Sequence, residues 1–206
     1  MSVPLRRVRL SRPPLGRTTL LVCDLQGRFA PLFAAASPHP WASLTHTAGT
    51  LLRAAALLRL PVICTEQNPR VLLPTDAALG PLLAACGATP SPKMRFSMVP
   101  GAGEPGASAP GWDSDAFLLT GIEAHVCVLQ TAQDLLAAGR AVWVVVDGVG
   151  SQRAADREVA LRSLEAAGAV LTTVESVLFQ LVETADHPSF RELSRIVKQH
   201  NAGTPQ

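Results

Sequence analysis

A chain of 206 residues, 48% hydrophobic and 17% charged, is long enough for one α/β domain with a substantial core and too short to house two comfortably. The slightly positive mean hydropathy excludes a disordered chain. A net charge of +2 gives no electrostatic ground for a nucleic-acid or membrane partner, and no apolar stretch approaches the ~18–20 residues of a membrane helix.

The first 17 residues, MSVPLRRVRLSRPPLGR, carry Arg6, Arg7, Arg9, Arg12 and Arg17, and no acid precedes Asp24. Without an apolar core this is not a secretory signal. It fits either a mitochondrial presequence or a basic extension ahead of the first strand. Four scattered cysteines, Cys23, Cys64, Cys86 and Cys127, show no C-x-x-C and no Cys/His spacing, which favours a reducing compartment over a disulfide framework or structural zinc. The expected location is the cytoplasm, with the mitochondrion as alternative. The expected division is a basic extension over 1–17, one domain over 18–199 and a tail over 200–206.

Short apolar runs then alternate with longer amphipathic ones. TTLLVCD (18–24), PVICTE (61–66), AFLLTG (116–121), AVWVVVD (141–147) and AVLTTVE (169–175) read as strands. Because the apolar residues run continuously, without alternation, these strands are buried on both faces, as in a parallel sheet. Helices are expected over 41–60, from about His125 to Gly139, and over 154–168, the last two stopped by glycine. Residues 68–111, rich in Pro and Gly, read as a loop with one short helix. The fold class is α/β: a three-layer, doubly wound, mostly parallel sheet with helices on both faces.

GAGEPG (101–106) matches the dinucleotide-binding spacing G-x-G-x-x-G, but no strand precedes it and Pro105 interrupts any helix after it, so no NAD(P) site is expected. In an open parallel sheet, ligands bind beyond the carboxyl ends of the strands. That selects Asp24 and Gln26, Glu66 and Gln67, the segment after Gly121 with Cys127, and Asp147. Asp24 is suited to moving a proton if partly desolvated; capping a turn is its other reading. Cys127 falls near the first turn of a helix, where the dipole favours thiolate and free N–H groups face outward; as a lone residue it reads first as core. Cys23, Cys64 and Cys86 read as core. Lys93 is the only lysine before Lys198 in a chain that otherwise uses arginine, and it supplies a compact cation.

With Asp24, Lys93 and Cys127 in that order, the sequence resembles the isochorismatase-like cysteine hydrolase family, on its isochorismatase domain-containing branch, from about Leu20 to Lys198. The resemblance rests on LVCDLQGRF, PVICTEQNP, KMRFSMV, LLTGIEAHVCV, VWVVVDGVGSQ and FQLVETADHPSFRELSRIVK. It implies an Asp24–Lys93–Cys127 triad with Cys127 as nucleophile, Asp24 as base and Lys93 lowering the thiolate pKa. It also implies an oxyanion hole at the N–H groups of Val126 and Cys127, and a non-proline cis peptide at Ile122–Glu123. Gln26, Phe29, Glu66 and Gln67 are expected to line the pocket, by strand-end position and resemblance, and His125 to contact substrate or lie exposed at the helix start. Nicotinamidase members carry an Asp/His/His metal site, whereas His39 here has no partnering D-x-H, so neither a metal, a cofactor nor nicotinamide hydrolysis is expected.

The expected activity is metal-independent hydrolysis of a small amide-like or related substrate by a homo-oligomer. The alternative is a catalytically quiet binding or scaffold protein that keeps the fold and acts through protein contacts.

Overall fold

Six strands form one sheet in the computed structural model, which describes residues 12–33 and 39–203: β1 (Thr18–Cys23), β2 (Val62–Gln67), β3 (Ser91–Lys93), β4 (Ala116–Ile122), β5 (Ala141–Gly150) and β6 (Val170–Thr172). Their order is β3-β2-β1-β4-β5-β6, and every neighbouring pair is parallel. The first three strands step outward to one side of β1 and the last three to the other. The direction therefore reverses between β1 and β4, and the chain leaves both strands at the same sheet edge.

Helices cover both faces, as the continuous apolar runs require. Leu20 and Val22 of β1, with Trp143 and Val145 of β5, pack beneath α1 (Trp41–Leu58), α6 (Val174–Val182) and α7 (Phe190–Gly203). The alternate residues Leu21, Cys23, Val142 and Val144 pack on the other side, beneath α4 (Leu129–Ala137) and α5 (Ala154–Ala167). Every residue of β1 and β4 is buried, which is why neither shows a polar alternation.

Several parts differ from the expectation, among them α6 and α7, which lie where no helix was expected. Residues 68–111 hold two short helices, α2 (Pro69–Leu72) and α3 (Gly80–Ala85), and the edge strand β3. The triplet Ser91–Lys93 has no strand-like pattern of its own. Its pairing with β2, Thr65 to Ser91 and Gln67 to Lys93, makes it a strand, and the edge tolerates Pro92. The last strand is only three residues long because Thr173 caps α6, its hydroxyl accepting from the N–H of Ser176. Strand β5 runs on to Gly150, three residues past Asp147, with a register shift against β4 between Leu119 and Gly121.

At the start of the described chain Arg12 pairs with Glu183 and Arg17 with Asp115, while the rest of the basic extension, with its arginines Arg6, Arg7 and Arg9, lies outside the described residues. Helix α7 runs through Gly203, past the expected domain end at 199. Among the described residues no helix is long and apolar enough to cross a membrane.

Candidate active site

Three strand ends converge at the edge where the sheet reverses. Asp24 directly follows β1 with φ +50°, a left-handed conformation that aspartate tolerates better than most residues. It is 1% exposed. Its N–H donates to the Thr65 carbonyl at 3.2 Å and its carbonyl accepts from the N–H of Gln26 at 2.8 Å. One carboxylate oxygen accepts from the Thr65 hydroxyl at 2.8 Å; the other lies 2.7 Å from Lys93 Nζ.

Lys93 ends β3, two strands away, and its side chain reaches back across β2 with 8% exposure. Its ammonium also donates to Gln67 Oε1 at 2.7 Å, to the carbonyls of Phe96 at 2.8 Å and Arg95 at 3.3 Å, and lies 3.6 Å from Cys127 Sγ. Three protons serve five acceptors, so some of these bonds are shared. Burial alone pulls the ammonium's pKa down, but Cys23, Asp24 and Cys127 together outweigh it and hold Lys93 above its ordinary value.

Cys127 comes from the chain after β4. The Ile122–Glu123 peptide is cis, and Ala124–Val128 then form a π-helical turn that leads into α4. Such turns recur at functional sites. The Glu123 carbonyl accepts from the N–H groups of Val126 at 3.0 Å and Val128 at 3.2 Å. The Thr131 hydroxyl donates to the Cys127 carbonyl at 2.6 Å and accepts from the N–H of Met98 at 2.8 Å, which ties the loop after β3 to this turn. Cys127 is 6% exposed.

Gly121 permits the convergence. Its φ is +121°, and a Cβ there would stand 2.0 Å from the Cys23 carbonyl oxygen. Only glycine lets β4 press against the end of β1 and bring Cys127 beside Asp24.

Cys23, read from sequence as a core residue, is buried but not isolated. Its sulfur, that of Cys127 and an Asp24 carboxylate oxygen all lie within 4.8 Å of one another, and its S–H points to Asp24 Oδ2 at 3.7 Å. Burial, followed by its hydrogen bond with Cys127, pushes the Cys23 thiol well above its ordinary value. These three side chains are the set among the described residues that could gather round a metal ion, but a dication there would sit against the Lys93 ammonium.

Sequence reasoning also missed Thr65 and Thr131. Thr65 stands opposite Cys23 in the β1–β2 register; Thr131 lies one helical turn after Cys127. Neither carries a sequence signal without the neighbour it meets.

The other expected site residues separate. Gln67 belongs to the cluster through Lys93 and also donates to the Met94 carbonyl at 2.9 Å. Gln26 is wholly buried and its amide is taken up by the backbone: it donates to the carbonyls of Gln67 and Leu73 and accepts from the N–H of Gln67. Glu66 accepts from the N–H and hydroxyl of Thr75 at 2.7 and 2.8 Å, which pins the loop after α2. Phe29 packs half-buried on the α1 side of the sheet. His125 lies 3.0 Å from the Ser151 hydroxyl and 3.8 Å from Asp156, toward the loop after β5. Asp147 caps α6, both carboxylate oxygens accepting from the N–H of Val174 at 3.1 Å.

A cavity of about 600 Å³ opens against this cluster at Lys93 and Thr65, with Arg70, Arg95, Met98 and Glu104 among its walls. That volume suits a small organic molecule.

Residues 18–176 match the family model described as the isochorismatase domain. The chain is 40% identical over 194 residues to the cattle (Bos taurus) isochorismatase domain-containing protein 2, covering 92% of this chain and 89% of that protein. The solved structure of the MAR1 ribonuclease from Caenorhabditis elegans superposes with a TM-score of 0.82 at 35% identity, covering 95% of each chain. The Escherichia coli YcaC gene product, titled an octameric hydrolase of unknown specificity, shares the fold with a TM-score of 0.72 at 19% identity, over 95% of this chain and 98% of that one.

Proposed function

The chain belongs to the isochorismatase family, and we propose from that premise that it is a metal-independent cysteine hydrolase acting on a small amide or related acid derivative. One observation carries the reading. A single buried ammonium, Lys93 Nζ, stands 2.7 Å from the Asp24 carboxylate and 3.6 Å from the Cys127 sulfur, at the sheet edge where this architecture places its ligands.

In the proposed cycle Asp24 takes the Cys127 proton and Lys93 stabilises the thiolate that remains. The sulfur attacks the carbonyl carbon, forming a C–S bond while the carbonyl π pair moves onto oxygen. The N–H of Cys127 faces that oxyanion. The N–H of Val126 joins it by sharing its bond to the Glu123 carbonyl. Collapse breaks the bond to the leaving group, which departs with the proton held by Asp24. Asp24 then draws a proton from water, whose oxygen attacks the thioester carbon; the C–S bond breaks and Asp24 returns the proton to the departing Cys127 sulfur.

The test is peptide mass spectrometry of Cys127 after incubation with a panel of small amides and esters, alongside turnover of the variants. A trapped acyl adduct on Cys127 is expected, with Cys127→Ala inactive and Asp24→Asn slowed by about 10²–10⁴-fold. Full turnover by Cys127→Ala would refute the proposal. So would RNA cleavage, the activity for which the Caenorhabditis elegans MAR1 ribonuclease is named, that survives that substitution. Equally slow alkylation of all four cysteines would favour the binding protein over the enzyme.

A further inference from the structure

The catalytic cycle gives Cys23 no part, yet its sulfur lies within 4.8 Å of the Cys127 sulfur, in a cluster of buried residues. We propose that the two form an oxidation-sensitive pair: peroxide oxidises Cys127, and Cys23 then closes a reversible disulfide on it that switches the site off and shields the nucleophile. This rests on the reading of Cys127 as the reactive thiolate.

The two positions are unequal in the way such a pair requires. Cys127 keeps 6% exposure and Cys23 none, so an oxidant arriving from solvent meets Cys127 first. Lys93, 3.6 Å from Cys127 Sγ, favours the thiolate that peroxide attacks. Cys23 lies in β1 opposite Gly121 of β4, fixed by strands on both sides, whereas Cys127 lies in the π-helical turn. A disulfide needs its sulfurs ~2.05 Å apart, so the gap closes by less than about 3 Å, and the turn is the partner free to supply the movement. Cys64 packs on the opposite face of the sheet, and Cys86 follows α3. Both serve as internal controls.

The chemistry balances with peroxide as the named oxidant. The Cys127 thiolate attacks one peroxide oxygen, an S–O bond forms, the O–O bond breaks, and the departing hydroxide takes from Asp24 the proton that Cys127 had given it, leaving as water and Asp24 as a free carboxylate. The sulfur is now a sulfenic acid. Cys23, whose S–H points to Asp24 Oδ2, passes its proton to that carboxylate and attacks the Cys127 sulfur. The S–S bond forms as the S–O bond breaks, and the departing hydroxide takes the proton from Asp24 as a second water. Two thiols have lost two electrons and one peroxide has gained them. Burial holds the Cys23 proton in place at rest, so Asp24, already in contact, is what makes the second step feasible.

The experiment treats the full-length protein with a small excess of hydrogen peroxide and follows intact mass, peptide maps and alkylation of Cys127 by iodoacetamide. The wild-type protein should lose two hydrogens, yield a linked Cys23–Cys127 peptide, lose Cys127 alkylation, and recover all three on adding a thiol reductant. In Cys23→Ala the same treatment should carry Cys127 to the sulfinic acid, a gain of two oxygens that the reductant does not reverse. Rapid alkylation of reduced Cys127 together with sulfinic acid and no linked peptide in the wild type would overturn the pair while leaving the nucleophile intact. Slow alkylation and no oxidation of Cys127 would overturn both readings. The wild-type maps decide alone if the variant does not fold.

Discussion

Replacing Lys93 by methionine removes the ammonium and keeps most of the side chain's length, and the consequence can be worked out from the geometry. Asp24, 1% exposed, keeps the Thr65 hydroxyl at 2.8 Å but loses its cation at 2.7 Å. Breaking a buried ion pair from one side costs about 3–5 kcal/mol. The gap between wild type and variant, read by urea denaturation at pH 7, should therefore be about 3–5 kcal/mol. The double variant Asp24→Asn/Lys93→Met, with no charge to bury, should recover much of the loss. A gap below about 1 kcal/mol, the range of an exposed pair, or a double variant as unstable as the single one, would refute the buried pair as described.

Gly121→Ala should be disruptive far beyond the usual cost of one methyl. The added Cβ meets the Cys23 carbonyl at 2.0 Å and φ is +121°, so the loss is on the order of 4 kcal/mol from strain and overpacking together; an unchanged melting temperature would show that β1 and β4 do not approach as drawn. Alkaline stability should fall because burial pushes Cys64 from 9.0 to about 12. A thiol whose folded value is raised holds its proton while the unfolded chain releases its own, so the stability it contributes is complete below pH 9 and declines by about 1.4 kcal/mol per unit above it. Under reducing conditions Cys64→Ala should flatten the curve between pH 9 and 11 by that amount, and an unaltered slope would contradict the burial.

What the sequence made legible follows from which forces are local. β1, β2, β4 and β5 could be read because both-face burial writes itself as an unbroken apolar run, and the fold class came with them. β3 could not, since Ser91-Pro92-Lys93 becomes a strand only through the edge of β2. The site divides the same way. Asp24 stood out as a carboxylate at a strand end, Cys127 as a thiol at a helix start, and Lys93 as a rare lysine in an arginine-using chain. Strand-end position gave no hint that the polar atoms of Gln26 and Glu66 would hold the backbone of neighbouring loops. It also gave no hint that Asp147 would cap α6 from a strand that continues past it. Cys23 was read as core and is buried, while its nearness to Cys127 was missed, because burial is a property of one strand and proximity to Cys127 a property of two.

That last distinction explains why the cluster depends on residues with no chemistry of their own. Asp24, Lys93 and Cys127 leave three different strands, and only β1 and β4 are adjacent at the reversal. Lys93 is anchored by a three-residue edge strand and by the Asn68 N–H, which donates to its carbonyl at 2.9 Å. So short an edge is weakly held by the sheet alone. The ion pair with Asp24 and the bonds to Gln67 and the Phe96 carbonyl therefore fix the edge as much as the edge fixes the ammonium. Since the cavity wall is built from the segments flanking this strand, the groups that set the charge of the site also set the shape of its pocket.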